Sequence, residues 1–367
     1  MAREALSVPV THEERRAQVR ARLDQVDAAG LVVLSLPNIR YLAGFTGSAA
    51  LLIVLAEPPD LFFTDHRYRA QIALELDPAI EPVVGTEKPL ALGRDHVREH
   101  DLGRLAFERA HLSVAAFEDW REKGVELVGV EGWIEALRSV KSPGEIDAIQ
   151  RAAAIADRVF VEILDFVRVG ITERVLAAEL DRRLILAGAE SPAFPTIVAS
   201  GERSALPHAR PTGRALERGE VVLFDFGAVV DGYHSDVSRT VACGAPSSEL
   251  AAVYEVVLDA QRRAIDAMVP DMGGREADAL ARDAIESAGY GDRFGHSLGH
   301  GLGLEVHEAP RLGRTSEDRL ESHTVVTVEP GIYIDRLGGV RVEDDVLVGP
   351  QGAEVLTAAP KDELITL

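Results

Sequence analysis

Short apolar runs alternate with longer polar stretches along the first third of the chain. Four runs have the length and composition of β-strands: residues 31–35, 51–56, 61–65 and 104–108. Residues 11–30 predict an α-helix that stops at Gly30. This alternation predicts an α/β domain of moderate size.

A second domain begins near the sequence KSPGE at residues 141–145. Ser142 and Glu145 have the spacing of a capping box, and Pro143 stands at the first helical position. Apolar residues then recur with a helical period as far as Ile163. We therefore expect one domain over residues 1–138 and another over residues 139–367.

The second domain repeats one order of elements twice. Predicted helices at 145–168 and 172–187 lead to strand-like runs through residue 241. Further helices at about 250–268 and 275–288 lead to strand-like runs through residue 348. The two halves share little residue identity, but their order of functional residue types also repeats.

Composition narrows the class of protein. The hydrophobic fraction is 46% and the formal net charge is −21, which would repel nucleic acid phosphates. The single cysteine, Cys243, excludes an intrachain disulfide and a thiolate cluster, and we expect it to be buried. The apolar run 51–56 is too short to span a bilayer, and the N-terminus lacks an apolar signal-type segment. We expect a cytoplasmic protein without membrane or nucleic acid partners.

Acidic residues interrupt three apolar strands of the second domain. Asp225 lies in VVLFDF, Glu329 in VVTVEPGIYI, and Glu343 alternates with Arg341 in GGVRVEDDVLV. A buried lone carboxylate costs several kcal/mol unless it is paired or bound to a metal. A salt-bridged or edge-facing acid would explain any one of them, but that explanation weakens for all three together.

Three histidines stand close together in GHSLGHGLGLEVHEAP, residues 295–310. They are His296, His300 and His307. A loop that tolerates histidine, a helical metal site, and a strand or loop that aims an imidazole at a metal or substrate are the alternatives. The surrounding glycines argue against a helix.

The acids and histidines together suggest a dinuclear metal site. Four carboxylates with an imidazole suit divalent ions, and two ions about 3.5–4 Å apart are the usual arrangement for so many acids. Each half supplies one histidine followed by two acids, so the site would be built almost symmetrically: His208, Asp225 and Asp236 from the first half, and His300, Glu329 and Glu343 from the second.

These motifs resemble the Xaa-Pro peptidases, prolidase and aminopeptidase P, which are metallopeptidases of the pita-bread fold. The matching segments of the second domain are DFGAVVDGYHSDVSRT, HSLGHGLGLEVHE, TVEPGIYI and VRVEDDV. NIRYLAGFTGS (38–48) and FTDHRY (63–68) resemble the creatinase/prolidase N-terminal domain. The resemblance implies an α/β (α+β) protein, in which such a domain precedes a pseudo-symmetric pita-bread catalytic domain.

The resemblance also implies a set of metal ligands. Asp225 would bind one ion, and His300 with Glu329 would bind the second. Asp236 and Glu343 would bridge both ions. The family favours Mn²⁺, while Co²⁺ and Zn²⁺ also suit this ligand set.

Further residues gain roles from the same resemblance. His208 and His307 would contact the substrate and assist catalysis, and His296 would lie near the substrate pocket. Arg341 would organise the site beside the bridging glutamate. Glu329 would also carry the proton of the attacking water to the prolyl nitrogen.

The implied activity is hydrolysis of the bond between an N-terminal residue and proline in small peptides, by a homodimer. We favour a dipeptidase over an aminopeptidase P. A dipeptidase needs a basic residue for the free carboxylate, and Arg210 and Arg311 are candidates that we expect to be ordinary surface arginines.

Three other proteins of this fold are less favoured. A methionine aminopeptidase would lack the large N-terminal domain. A metal-free creatinase or a non-enzymatic binding protein would be expected to lack ligands.

Overall fold

The computed structural model describes residues 10–367, which form two compact units. The first unit ends at Arg138 and the second spans Ser139–Leu367. Among the described helices, none is both long enough and apolar enough to cross a membrane.

The first unit is built on a six-stranded mixed sheet. The strands follow the order β4-β3-β2-β1-β5-β6, and β1 is antiparallel to β2 but parallel to β5. The strands are β1 (Gly30–Val33), β2 (Leu51–Leu55), β3 (Asp60–Asp65), β4 (Ile80–Gly85), β5 (Leu105–Glu108) and β6 (Leu127–Val130). The helices are α1 (His12–Leu23), α2 (Leu36–Ala43), α3 (Arg69–Glu75), α4 (Pro89–Glu99), α5 (Val114–Glu122) and α6 (Glu135–Ser139).

Helix α1 ends earlier than the sequence predicted. A 3₁₀ turn follows at Asp24–Val26, and Asp27 takes a left-handed conformation with φ of 51°. Gly30 is the first residue of β1 and does not end the helix. A Cβ at position 30 would lie 2.9 Å from the carbonyl oxygen of Val54, so the neighbouring strand accounts for this glycine.

The second unit repeats a pair of helices followed by strands, as the sequence predicted, and the strands of each half pair antiparallel. The first half contains α7 (Pro143–Leu164), α8 (Glu173–Leu186), β7 (Ile197–Ser200), β8 (Glu220–Phe226), β9 (Val229–Val230), β10 (Tyr233–His234) and β11 (Val237–Cys243). The second half contains α9 (Ser248–Ala267), α10 (Gly274–Ser287), β12 (Gly299–Gly301), β13 (Glu308–Leu312), β14 (Thr324–Val328), β15 (Gly331–Ile334), β16 (Gly338–Arg341), β17 (Asp344–Gly349) and β18 (Gly352–Val355).

Each helix pair packs against the sheet of its own half. In the first half, Phe160 of α7 and Leu180 of α8 share a buried core with Phe224 of the β11-β8-β7 sheet. In the second, α9 and α10 cover the β13-β12-β14-β17-β18 sheet, and β15 pairs with β16 in a separate hairpin. The predicted capping box of Ser142 and Glu145 starts α7, and Cys243 is buried as predicted.

Glu329 and Glu343 do not lie inside strands, contrary to the prediction from alternation. Glu329 occupies a break between β14 and β15, and Glu343 occupies a break between β16 and β17. Pro330 has no N–H and so cannot continue the strand pairing after Glu329. The backbone N–H of Glu329 donates to the carbonyl of Leu298, and that of Glu343 donates to the carbonyl of Ser238, so neither takes part in the pairing of the adjacent strands. Of the three acids, only Asp225 lies within a strand, namely β8.

The glycines around His300 permit close backbone approach. His300 is the middle residue of β12, which pairs with both β13 and β14. A Cβ at Gly299 would lie 1.9 Å from the carbonyl oxygen of Thr327, and one at Gly301 would lie 2.2 Å from that of Ala309. The histidine is therefore held on a short, tightly enclosed strand.

Substitution of Gly299 by alanine should destabilise the second unit by about 2–3 kcal/mol, because the added methyl group overlaps the β14 backbone. Urea denaturation measures this loss. Gly295→Ala is the matched control, since a Cβ there meets no atom within 4 Å. Equal stability of the two variants would contradict the packing argument.

Candidate metal centre

Residues from both halves of the second unit line one cavity of about 470 Å³. Apolar side chains such as Phe194, Ile197 and Val306 form part of its wall. Among the lining residues are eight of the nine site residues predicted from the sequence: His208, Asp225, Asp236, His300, His307, Glu329, Arg341 and Glu343.

Three of the predicted ligands converge on one point. Ligand atoms of Asp236, His300 and Glu343 lie within 4.8 Å of one another. The His300 Nε2 atom is 3.5 Å from Oε1 of Glu329 and 3.9 Å from Oδ2 of Asp236. These distances leave space for a cation between the imidazole and the acids.

The carboxylates are too crowded to stay ionised without added positive charge. Burial raises the pKa of Asp236 and Glu343 well above the ordinary range, and the neighbouring carboxylates raise both further. Burial also raises the pKa of Glu329, to about 8.

Asp225 is the fourth acid of the cluster, and Asp236 has one oxygen without a hydrogen-bond partner. Burial raises the pKa of Asp225 as well, although Arg341 opposes the shift. Oδ1 of Asp236 is buried without a hydrogen-bond partner. Hard cations would satisfy that oxygen and stabilise the ionised acids, so the donor set fits divalent metal ions.

His300 presents a lone pair to the acids. Its Nδ1 lies 3.0 Å from the carbonyl oxygen of Gly301, which can only accept, so Nδ1 carries the hydrogen. Burial lowers the pKa of His300 to about 4, which keeps the ring neutral. A neutral imidazole with its second nitrogen held by a carbonyl is the usual form of a histidine metal ligand.

Arg341 connects the carboxylates of the two halves. Its guanidinium is paired with Asp225, and its Nε donates to Oγ of Ser238 at 2.7 Å. The Ser238 hydroxyl in turn donates to Oε2 of Glu343 at 2.7 Å. Arg341 therefore orients Asp225 directly and Glu343 through Ser238, which is compatible with the organising role that the resemblance implied.

His296 is not among the residues that line this cavity, and its expected place near the substrate pocket stays a prediction. Its Nδ1 donates to the Ser297 carbonyl at 2.8 Å, and its Nε2 accepts from the Tyr333 hydroxyl at 2.9 Å. The Tyr333 oxygen accepts from Nη1 of Arg341 at 3.0 Å. His296 therefore contacts Arg341 indirectly, through the Tyr333 hydroxyl.

The two remaining histidines line the cavity without joining the cluster of acids. The His307 ring packs edge-on against His300, with ring centroids 4.3 Å apart, and burial lowers the pKa of His307. Both His208 and His307 are exposed to solvent and therefore accessible to a substrate.

Glu173 holds the segment that carries His208. This buried glutamate at the start of α8 accepts hydrogen bonds from the backbone of Ser200 at 2.9 Å and of Thr212 at 3.0 Å. Sequence reasoning missed Glu173, Ser238 and Tyr333. For Ser238 a signal existed, because it stands two positions after Asp236 in a strand that pairs with that of Asp225.

The raised pKa of Glu329, about 8, predicts a pH dependence of the metal-free protein. In the folded state Glu329 keeps its proton up to about pH 8, whereas in the unfolded chain it ionises near its ordinary pKa. This contribution to stability is complete below the unfolded pKa and is lost as pH rises through the folded pKa. We expect the free energy of unfolding in chelator to fall by several kcal/mol between about pH 5 and 8.

Urea denaturation across that pH range provides the test. Glu329→Gln should flatten part of the dependence, since glutamine does not titrate. A metal-free protein whose stability rises over the same range, or an unchanged pH dependence in Glu329→Gln, would contradict this assignment.

Comparisons with known proteins agree with this architecture. Residues 147–350 match metallopeptidase family M24, and residues 15–140 match the creatinase/prolidase N-terminal domain. The Xaa-Pro dipeptidase of Pyrococcus furiosus is 44% identical over 69% of this chain and 73% of its own. These matches confirm the predicted family and fold class.

Solved structures extend the similarity over nearly the whole chain. An Xaa-Pro dipeptidase from Bacillus anthracis superimposes with a TM-score of 0.94 and 40% identity, covering 97% of this chain and 100% of the other. An X-Pro aminopeptidase from Thermotoga maritima gives a TM-score of 0.88 and 34% identity, covering 96% and 99%. The chain therefore belongs to metallopeptidase family M24, within the Xaa-Pro peptidases that carry a creatinase/prolidase N-terminal domain.

Proposed function

We propose that the protein is an Xaa-Pro dipeptidase that uses two divalent metal ions. The observation that carries the proposal is the convergence of four carboxylates, three of them buried and that of Glu329 partly buried, and a neutral imidazole on one cavity. By family resemblance we propose Mn²⁺ as the preferred ion, with Co²⁺ or Zn²⁺ as substitutes, and a homodimer in the cytoplasm.

The proposed ligands come from both halves of the second unit. Asp225 would hold one ion, His300 and Glu329 the other, and Asp236 and Glu343 would bridge them. When bound, such a pair supplies a water that is acidic enough to act as a nucleophile near neutral pH. Arg341 keeps Asp225 and Glu343 oriented through the contacts described above.

The remaining cavity residues would handle the substrate. His208 and His307, which both line the cavity, would donate hydrogen bonds to the carbonyl oxygen as negative charge develops there. Glu329 would accept the proton of the attacking water and pass it to the prolyl nitrogen. That nitrogen is tertiary in the substrate, so it needs this proton in order to leave.

Arg210 supports a dipeptidase over an aminopeptidase. Arg210 is exposed, as expected of a surface arginine, and it is also one of the residues that line the cavity, whereas Arg311 is not among them. In residues 10–367 no carboxylate lies within ion-pair distance of Arg210. A dipeptide would bring its own carboxylate, which an arginine can bind through two hydrogen bonds.

Release of the N-terminal residue from longer peptides is the second candidate. The similarity to the Thermotoga maritima X-Pro aminopeptidase favours it. The two activities differ in whether the residue after the scissile bond must end in a free carboxylate, and Arg210 is proposed to impose that requirement.

Hydrolysis of Ala-Pro, Ala-Pro-amide and Ala-Pro-Ala with added Mn²⁺ tests the proposal, with chelator as the negative control. We expect Ala-Pro to be the preferred substrate. Arg210→Gln should lower kcat/KM for Ala-Pro by about tenfold to a hundredfold, because a charge-assisted contact is lost. The two substrates without a free carboxylate beside proline should change little.

Arg275→Gln is the matched control and should behave like the wild type, because Arg275 is exposed and is not among the residues that line the cavity. Efficient cleavage of Ala-Pro-Ala with little cleavage of Ala-Pro would establish the aminopeptidase instead. Equal losses for Ala-Pro and Ala-Pro-amide in Arg210→Gln would remove the carboxylate role of Arg210.

A further inference from the structure

We propose that Gln261 is a positioning residue that fixes the spacing between Glu329 and Glu343. It lies on α9, outside the cavity, and its side chain is 0% exposed. The inference rests on the proposed metal site, because the spacing of these two acids matters only if they share ions.

A single amide group contacts both strand breaks. Nε2 of Gln261 lies 3.1 Å from the carbonyl oxygen of Val328 and 3.3 Å from that of Val342. The two carbonyls share one of its two hydrogens, because the other points to Asp344. Val328 directly precedes Glu329, and Val342 directly precedes Glu343. The two proposed ligands are therefore tied to each other through one side chain of a neighbouring helix.

The breaks need such a connection because the chain leaves its regular pairing there. β14 pairs with β17, whereas β15 pairs with β16 in a separate sheet. A backbone hydrogen bond from Val342 N to Pro330 O also joins the two segments, but its 3.5 Å length marks it as weak. The amide of Gln261 bridges the segments where the ladders change partner.

The orientation of the Gln261 amide is itself determined by charged neighbours. Lys361 Nζ donates to Oε1 at 2.8 Å, and Oδ2 of Asp344 accepts from Nε2 at 2.9 Å. Lysine can only donate and carboxylate only accepts, so the NH₂ group must face the two carbonyls. Asp344 is held in turn by Arg239 and by Thr357, whose hydroxyl donates to it at 2.7 Å.

This arrangement gives Gln261 a role distinct from general stability. Removing the amide leaves both acids in the sequence, but it removes the side chain that contacts the carbonyl before Glu329 and the carbonyl before Glu343. Residues that orient metal ligands from outside typically change metal affinity by about 10–100-fold when replaced. We expect a loss of that size, with both ions still bound at saturation.

The test compares Gln261→Met with Thr357→Val in the full chain. Methionine keeps the length of the side chain but donates no hydrogen bond. Thr357→Val perturbs the same Asp344 cluster, yet Thr357 contacts neither strand break. Co²⁺ affinity and stoichiometry are measured by competition with a chelating indicator, together with the Co²⁺ absorption spectrum and the shift in Tm on adding Co²⁺.

Gln261→Met should bind Co²⁺ about tenfold to a hundredfold more weakly, with an altered spectrum and a smaller Tm shift. Thr357→Val should keep the wild-type affinity and spectrum even if its metal-free Tm falls equally. Gln261→Leu serves as the second variant if the methionine protein does not fold. Leucine brings no charge next to Asp344, donates no hydrogen bond, and should show the same loss of affinity.

Wild-type affinity in the folded Gln261 variant, or an equal loss in Thr357→Val, would overturn the positioning role. That result leaves the proposed function intact as long as the wild type binds two ions and cleaves Ala-Pro. A wild type that binds no Co²⁺ would instead overturn both the proposed function and this inference.

Discussion

The second unit is organised around the cost of burying like charges next to one another. Asp225, Asp236, Glu329 and Glu343 line one cavity, and burial raises the pKa of each. Four acids rarely lie this close together in a folded protein unless bound cations offset the unfavourable free energy of burying them. Nearby side chains supply only part of that charge, since Arg341 is committed to Asp225 and His300 is neutral.

The architecture brings these acids together from a duplicated order of elements. Asp225 and Asp236 come from the β8–β11 region, and Glu329 and Glu343 come from two breaks where the chain passes between a sheet and a hairpin. A break frees a side chain from strict alternation, so an acid can point to the cavity while both its neighbours remain buried. Gln261 of α9 contacts the backbone directly before Glu329 and Glu343, and Glu173 of α8 holds the segment that carries His208.

Local sequence signals sufficed for the two helix pairs of the second unit and for recognising an unusual collection of acids. The capping box of α7 and the apolar period behind it involve residues only a few positions apart, so the sequence alone predicts them. The end of α1 was predicted wrongly, because Gly30 does not mark a helix end. Position 30 needs glycine because the Val54 carbonyl on the neighbouring strand leaves no space for a Cβ. The placement of Glu329 and Glu343 inside strands was wrong for a similar reason. The chain changes pairing partners at both residues, from the β14–β17 pair to the β15–β16 hairpin, and the sequence near each acid does not show this change.

The supporting residues of the site lay beyond sequence reasoning for the same physical cause. Ser238 contacts Glu343 at a separation of 105 residues, and Gln261 contacts Val328 at a separation of 67. Alternation from Asp236 places Ser238 on the side of the site, but nothing in the sequence marks Glu343 as its partner, and a glutamine in an amphipathic helix carries no signal at all. Only the folded structure shows that His296 contacts Tyr333.

The central claim is that the clustered acids hold two metal ions, and anomalous scattering from a crystal of the Co²⁺-loaded protein tests it most directly. Two peaks about 3.5–4 Å apart are predicted, both beside Asp236 and Glu343, with one also at Asp225 and the other at His300 and Glu329. A crystal grown with excess Co²⁺ that shows no peak among these side chains would contradict the claim.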